Sequence, residues 1–467
     1  MPEPGAVAAG TVAILPVTAG PRDRAQAGDL SVAFAGNTGN MVFEEALQAL
    51  CPAAWLARTD DLQVIAGHDH IIVSLANAIS DHPCSDGLIR FAAQLARIRR
   101  LSPSTRFVVT AIGAQYPAFD AAPTIEPARL RLVRDLAESA PYIGVRGHFT
   151  AELLHQHGVR NTWVVGDPAL LHPRIGATAP APAIGGDLIV GWTPSGSYRD
   201  VYRCFLDWSR RHDAVLVAQS AQERLLPVPG QRAVTAGSDL AAILDYYSWP
   251  AVPHDDLAAW MVRRGTWFAH PEDWYQAMSG QRLALGTRFH GNAAAAIAGT
   301  PALQLTMDTR TAELAAFHGL ASMPLQEFDP RLGPADYLAR AVHRSVHQRV
   351  AVLRANLYAF WRAVGLEVDP VGAVTPPPAP ARPPEERAGL RLGERYVLRA
   401  LEHALAPDGG FRFTQAQAQA ALQVIGTPRG LGLGQLVDAA PGLLFATRQA
   451  GLEALAERVA GPLGVPV

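Results

Sequence analysis

The chain contains no lysine: all 40 side chains in its Lys+Arg total are arginines. A lysine Schiff base, a pyridoxal-phosphate anchor and a Walker A phosphate loop each need a lysine amine, so all three are excluded. Any anion this protein grips, it grips with arginine, histidine or backbone amides. Cysteine is scarce as well. Cys51, Cys84 and Cys204 are scattered, odd in number and without CxxC spacing or a disulfide framework, which fits a reducing cytoplasm. The first arginine is Arg22, behind the apolar stretch from Ala6 to Leu15, so the basic opening of a secretory signal is missing. There is no uninterrupted run of about 18 apolar residues, so no helix is expected to span a membrane; peripheral association at its inner face stays open. A net charge of −2 with no basic run argues against a nucleic-acid partner. Neither a G-x-G-x-x-G after the first strand nor a G-x-S-x-G elbow occurs, which disfavours a dinucleotide site and that type of serine nucleophile.

What is present is a regular alternation, at a length that predicts two to four domains of about 150 residues. Ser31–Ala35 reads as a strand, Gly36–Asn40 as a turn and Met41–Leu50 as a helix. Ile71–Leu75, Phe107–Ile112, Tyr142–Val145 and Thr162–Val165 read as further strands with helical patterns between them. Apolar runs separated by helices indicate a parallel sheet covered on both faces. Residues 172–186, with three prolines and a Gly-Gly pair, break the pattern as a linker. A second series then follows: Leu188–Trp192, Ala214–Ala218, Thr266–Ala269, Arg282–Leu285 and Ala302–Leu305. The reading is an α/β protein with two Rossmann-like domains facing a cleft. A lead segment covers 1–29, the first domain 30–171 and the second 187–335. One long amphipathic helix is expected over 336–365, its stripe formed by Leu338, Val342, Val346, Val350, Leu353, Leu357 and Phe360. A Pro-rich spacer over 366–386 and a small C-terminal helical extension over 387–467, offered for packing or for a protein partner, complete the chain.

The stretch from Arg282 to Asn292 carries the most chemical information. It reads as buried strand, tight turn and helix start, and a helix start offers an anion free amides and about half a positive charge. Arg288 and His290 stand two positions apart, so in an extended turn they point the same way. With Gly291 and Asn292 beside them, guanidinium, imidazole and helix terminus converge on one phosphate or carboxylate. After the next strand, Asp308 suits a helix cap, Glu313 lies in the first turn and Arg310 is a second cation on the same edge. In the first half, Asn37, Thr38 and Asn40 occupy the first turn. Asn77, Gln115, Arg146 and Asp167 each follow a strand, which makes a polar wall opposite. His68-x-His70 and His155-x-His157 look like halves of metal sites, but neither has a third ligand at local spacing, and no metal is expected.

Three ordered blocks resemble the polysaccharide pyruvyl transferases over roughly residues 30–365. The first is Gly36-Asn37-Thr38-Gly39-Asn40. The second runs from Ile143-Gly-Val-Arg146-Gly-His148 through His157-Gly158-Val159 to Gly166-Asp167-Pro168-Ala169-Leu170. The third runs from Gly286-Thr-Arg288-Phe-His290-Gly291 through Ala298-Gly299-Thr300-Pro301 to Asp308-Thr-Arg310 and Glu313-Leu314. The resemblance implies a fold like the B-type glycosyltransferases, with the first domain on the acceptor side and the second on the donor side. It implies transfer of the enolpyruvyl unit of phosphoenolpyruvate onto a glycan or lipid-linked sugar of the cell envelope. A pyruvate ketal forms across two hydroxyls and phosphate is released; phosphoenolpyruvate is the co-substrate and no cofactor is called for. His290 and Arg288 take the catalytic places, Arg288, Gly291, Asn292, Asp308 and Arg310 the donor site, and the polar wall lines the cleft. Many relatives carry a lysine where this chain has Arg310; an arginine there keeps a fixed charge and leaves proton transfer to His290. Two other readings fit the same sequence: a nucleotide-sugar glycosyltransferase on the same fold, and a non-catalytic relative that binds glycan or scaffolds other enzymes.

Overall fold

The computed structural model describes residues 11–15, 37–57, 61–119, 123–176, 185–193, 198–220, 254–343 and 346–370. In the first half, short aliphatic and β-branched runs form β1 (Val12–Leu15), β2 (Trp55–Leu56), β3 (His70–Ser74) and β4 (Arg106–Thr110). They pair in parallel in the order β2-β1-β3-β4. Past β4 the chain bends at Ala111, whose φ of 62° lies in the left-handed region. Ile112 then pairs in parallel with the end of β5 (Ile143–Val145), which pairs in turn with β6 (Thr162–Val164). The helices between these strands are α1 (Asn40–Leu50), α2 (Leu62–Ala66), α3 (Asp86–Leu101), α4 (Pro127–Glu138) and α5 (His148–Gln156). A short 3-10 turn, Pro168–Leu171, follows β6.

The second half contains β7 (Leu188–Gly191), β8 (Val215–Val217), β9 (Gly265–Thr266), β10 (Leu283–Gly286), β11 (Ala302–Thr306) and β12 (Ser322–Pro324). All pair in parallel, in the order β12-β11-β10-β7-β8-β9. Strand order reverses between β7 and β10, which is where open α/β sheets leave a crevice for ligands. Between the strands lie α6 (Arg199–Arg211), α7 (His254–Arg264), α8 (Pro271–Met278), α9 (Phe289–Ile297) and α10 (Thr309–His318). Local sequence explains the limits of α10. Asp308 and Thr311 form a reciprocal capping box at its start, and Gly319, at φ 72°, supplies the left-handed residue that ends it.

Two expectations from sequence change here, and others fall outside the described residues. Residues 1–29 were expected to precede the first domain, yet β1 lies within them and is an inner strand of the first sheet. Its four buried residues are too few to reveal a period, which is why the sequence pattern passes over it. The Ser31–Ala35 strand lies outside the described residues, as do the spacer beyond residue 370 and the extension over 387–467. The single helix expected over 336–365 is instead α11 (Pro334–His343), a 3-10 turn at Val346–Gln348, and α12 (Val350–Ala363). The apolar stripe serves two cores, apart from Val342, which is exposed. Tyr337 and Leu338 pack with the second half, whereas Val346, Val350, Leu353, Leu357 and Phe360 return to the first.

That return ties the halves together. Arg354 of α12 donates to the carbonyls of Leu171, His172 and Ile175, and the Tyr358 hydroxyl donates to Leu50 O. One continuous apolar cluster takes in Met41, Phe43 and Leu47 of α1, Leu170 and Leu171, Phe289 and Ala293 to Ile297 of α9, and Trp361 of α12. The two sheets therefore rest on a shared core, and their carboxyl edges meet at a closed seam.

Candidate active site

The turns at the seam come from both halves. Asn37–Gly39 opens α1, Arg146 follows β5, Asp167 follows β6, Arg288 and His290 open α9, and Asp308 and Arg310 open α10. The first turn is docked onto the second sheet: Thr38 N donates to Gln219 O at 2.8 Å, and Asn37 bridges Ser220 in antiparallel fashion. Asn37 Oδ1 accepts from Gly39 N at 2.9 Å. Gly39 is required for space. A Cβ there would lie 2.8 Å from His290 Cβ and 2.9 Å from His290 Nδ1, so two helix starts meet with only this imidazole between them.

Asp167 is the anchor of the site and is fully buried. Its Oδ2 lies 2.6 Å from Arg146 Nη2 and 3.5 Å from His290 Nε2, an ion-pair separation rather than a formed hydrogen bond in the second case. Its Oδ1 accepts from Ala169 N at 3.0 Å. Burial alone would raise the Asp167 carboxyl, but Arg146, His290 and the Ala169 amide together hold it far below the usual carboxylate range. The Asp167 amide donates to His318 Nε2 at 2.7 Å. Burial lowers the His318 imidazole to about 3, so it stays neutral with its proton on Nδ1. Gly166, at φ 80°, leaves the space that the His318 ring fills.

His290 is 6 % exposed. Burial lowers its pKa, Arg146 and Arg310 push the same way, and Asp167 opposes them. Arg146 is 1 % exposed, and its guanidinium carbon stands 5.9 Å from the Phe43 ring centre. Arg310 reaches the same region from α10. Oriented to satisfy both of its ends, the Asn77 amide donates to Ala76 O at 2.9 Å and accepts from Arg310 Nη1 at 3.2 Å. Asp308 Oδ2 accepts from Gln115 Nε2 at 2.9 Å and faces Arg310 Nη2 at 3.7 Å. Thr38 Oγ1, Arg146 Nε, His290 Nε2 and Arg310 Nε are buried with no hydrogen-bond partner among the described residues. Four such groups, three of them nitrogens on basic side chains, make a site that suits a multiply charged anion.

Arg288 takes a different direction from His290. As the N-cap it has extended backbone, φ −79° and ψ 103°, while His290 is already helical, so the period of two that would align them does not apply. Arg288 Nε donates to Trp192 O at 3.2 Å. Its side chain lines a small pocket with Gly191, Gln219, Gly291 and Asn292, at the carboxyl ends of β7 and β10. The Asn292 amide donates to Gly286 O at 3.1 Å and to Gln304 Oε1 at 2.9 Å, which braces β10 against β11. Gly291 keeps clear the space in front of Gln219. Asn40 is the first residue of α1. His68 donates its Nδ1 proton to carbonyls in α2, and His155 bonds Thr162 Oγ1 at 2.7 Å, so both histidines have structural work.

Two side chains in this cluster have roles that local sequence spacing does not reveal, Glu313 and His318. Glu313 is 1 % exposed, and burial pushes its carboxyl up to about 7 against the opposing hydrogen bonds from Thr150. Both lie on α10 and become neighbours of Arg146 and Asp167 only when the halves dock. A faint signal exists in the glycines, since Gly147 and Gly166 stand where each of these side chains enters.

Among solved structures, the chain is similar to MnaA of S. aureus in its structure with UDP. The identity is 10 % and the TM-score 0.37, covering 78 % of this chain and 100 % of that one. It is also similar to HepE of Anabaena in complex with UDP and glucose, at 10 % identity and a TM-score of 0.37, covering 76 % and 95 %. No curated protein sequence matches the chain. The sequence model described as polysaccharide pyruvyl transferase matches residues 54–308, more than half of the chain. That span includes Arg146, Asp167 and the His290 turn and ends at the cap of α10. The chain is a transferase that belongs to the polysaccharide pyruvyl transferase family.

Proposed function

We propose that the seam binds phosphoenolpyruvate and transfers its enolpyruvyl unit to a sugar of a glycan or lipid-linked precursor, forming a pyruvate ketal. The observation that carries this reading is the gathering of Arg146 and His290 on the buried Asp167, with Arg310 close enough to act on both, and with donor atoms left unsatisfied. Phosphoenolpyruvate presents a phosphate and a carboxylate on a three-carbon frame, and two guanidiniums with two helix starts match that charge. Arg288, on the other side of the same turn, adds a further cation from the adjoining pocket.

In this scheme His290, as imidazolium, protonates the vinyl CH2, and the adjacent carbon becomes an oxocarbenium-like centre. A sugar hydroxyl adds there and gives up its proton, phosphate departs with its electron pair, and a second hydroxyl closes the ring with loss of its proton. Asp167 stabilises the imidazolium and holds Arg146. No helix among the described residues is long and apolar enough to cross a membrane. The proposed setting is cytoplasmic, with the sugar presented at the inner face of a membrane.

The test is phosphate release from phosphoenolpyruvate in the presence of candidate acceptors. His290→Ala should lose about 10²-fold or more in turnover, the usual worth of a positioned proton donor. Arg146→Ala should lose both turnover and donor affinity. Turnover at the wild-type level in His290→Ala removes it as the acid. Stabilisation of the chain by a nucleotide-sugar and not by phosphoenolpyruvate, in a thermal-shift experiment, would reverse the assignment of the donor.

A further inference from the structure

Helix α5 begins immediately after Arg146, and its N-cap is Gly147, which has no side chain to cap it. Its open amides are met from the other half of the molecule. Glu313, in the second turn of α10, accepts from Thr150 N at 3.1 Å and from the Thr150 hydroxyl at 2.6 Å. The same hydroxyl accepts from Ala114 N at 3.0 Å, so the carboxylate is also tied to the loop that follows β4. A Cβ on Gly147 would overlap the Glu313 carboxylate. The backbone of Gly147, φ −163° and ψ 176°, is ordinary extended chain open to any residue, so glycine is needed there for space alone.

Burying a carboxylate is costly even when it is hydrogen-bonded. A serine or aspartate at position 147 would cap α5 locally without that cost. The arrangement present does what a local cap cannot. It fastens the helix that carries Arg310 to the turn that carries Arg146. Other links join the start of α10 to the loop that follows β4, Thr309 N to Tyr116 O at 2.9 Å and Tyr116 N to Thr309 Oγ1 at 3.1 Å, and these too are buried. Glu313 is the member of the set that reaches α5.

We propose that Glu313 is a positioning residue, a helix cap supplied across the seam that fixes the spacing between Arg310 and Arg146 and thereby the anion site. The inference rests on reading that site as the donor's. Titration calorimetry of the full chain with phosphoenolpyruvate, and separately with inorganic phosphate, tests it. Glu313→Ala should weaken binding of both anions by about tenfold or more. Gly147→Ser combined with Glu313→Ala separates capping from positioning. Serine restores the cap of α5 in its own chain segment, so thermal stability should recover while anion affinity stays weak. Wild-type affinity in that double variant reduces Glu313 to a cap and overturns the proposal, as does unchanged affinity in Glu313→Ala. The double variant decides the matter even where Glu313→Ala alone fails to fold. A wild-type chain that binds phosphate but not phosphoenolpyruvate refutes the donor reading and leaves the phosphate comparison to judge Glu313. A chain that binds neither refutes both.

Discussion

At His290 two requirements oppose each other. Burial and two nearby guanidiniums favour the neutral ring, while the proposed chemistry needs the imidazolium. A multiply charged anion placed beside the ring reverses the balance, because it offsets Arg146 and Arg310 and stabilises the positive imidazole. Donor binding should therefore take up a proton, and affinity for the fully ionised phosphoenolpyruvate should rise as pH falls below the raised pKa of the bound ring, levelling off below the lowered pKa of the free one. Calorimetry in buffers of different ionisation enthalpy measures that uptake directly; an uptake of zero would remove His290 from the coupling. At this scale, much of the site can be read from sequence because position after a strand is a local property. Arg146, Asp167, His290 and Arg310 are all found that way. Spacing pairs Arg288 with His290, and the structure divides them, because one residue is a cap and the other is already helical. Glu313 and His318 are not legible, since what matters is the residue each meets across the seam.

The helices at the seam act mainly through their first turns. Asp308 illustrates this: it caps α10 with Thr311, accepts from Gln115 and stands near Arg310. Asp308→Ala should cost about 1 kcal/mol of stability in urea unfolding, the usual worth of an N-cap. Asp308→Asn should recover most of that loss, and equal losses in the two would show that the charge matters more than the cap. The capping pattern that fixes this helix start is written in adjacent residues, and sequence locates it. The break between α11 and α12 is not, because a three-and-four spacing continues through it. Only the identity of the core each half-stripe meets distinguishes two helices from one.

For the whole molecule, the return of α12 to the first half is the feature that closes the fold. Trp361 is fully buried in the shared core and reaches Thr110 Oγ1 at 3.5 Å. Trp361→Ala should cost about 3–5 kcal/mol, as large buried aromatics do. If the shared core makes the halves one cooperative unit, the unfolding transition should shift as a whole. A lower first transition followed by an unshifted second one would show that the halves melt separately. Sequence reveals two α/β series and their order. It does not reveal that they share an interior, since burial by a distant segment leaves no periodic trace.

The described ends of the two crossings between the halves also meet. The first leaves past His172, the second arrives at Val346, and His347 Nδ1 contacts Gly176 O at 2.7 Å. The contact fastens the exit of the first half to the entry of the closing segment. Anything that parts the seam must then strain this contact and the shared core together, so the side chains facing each other across it keep one register.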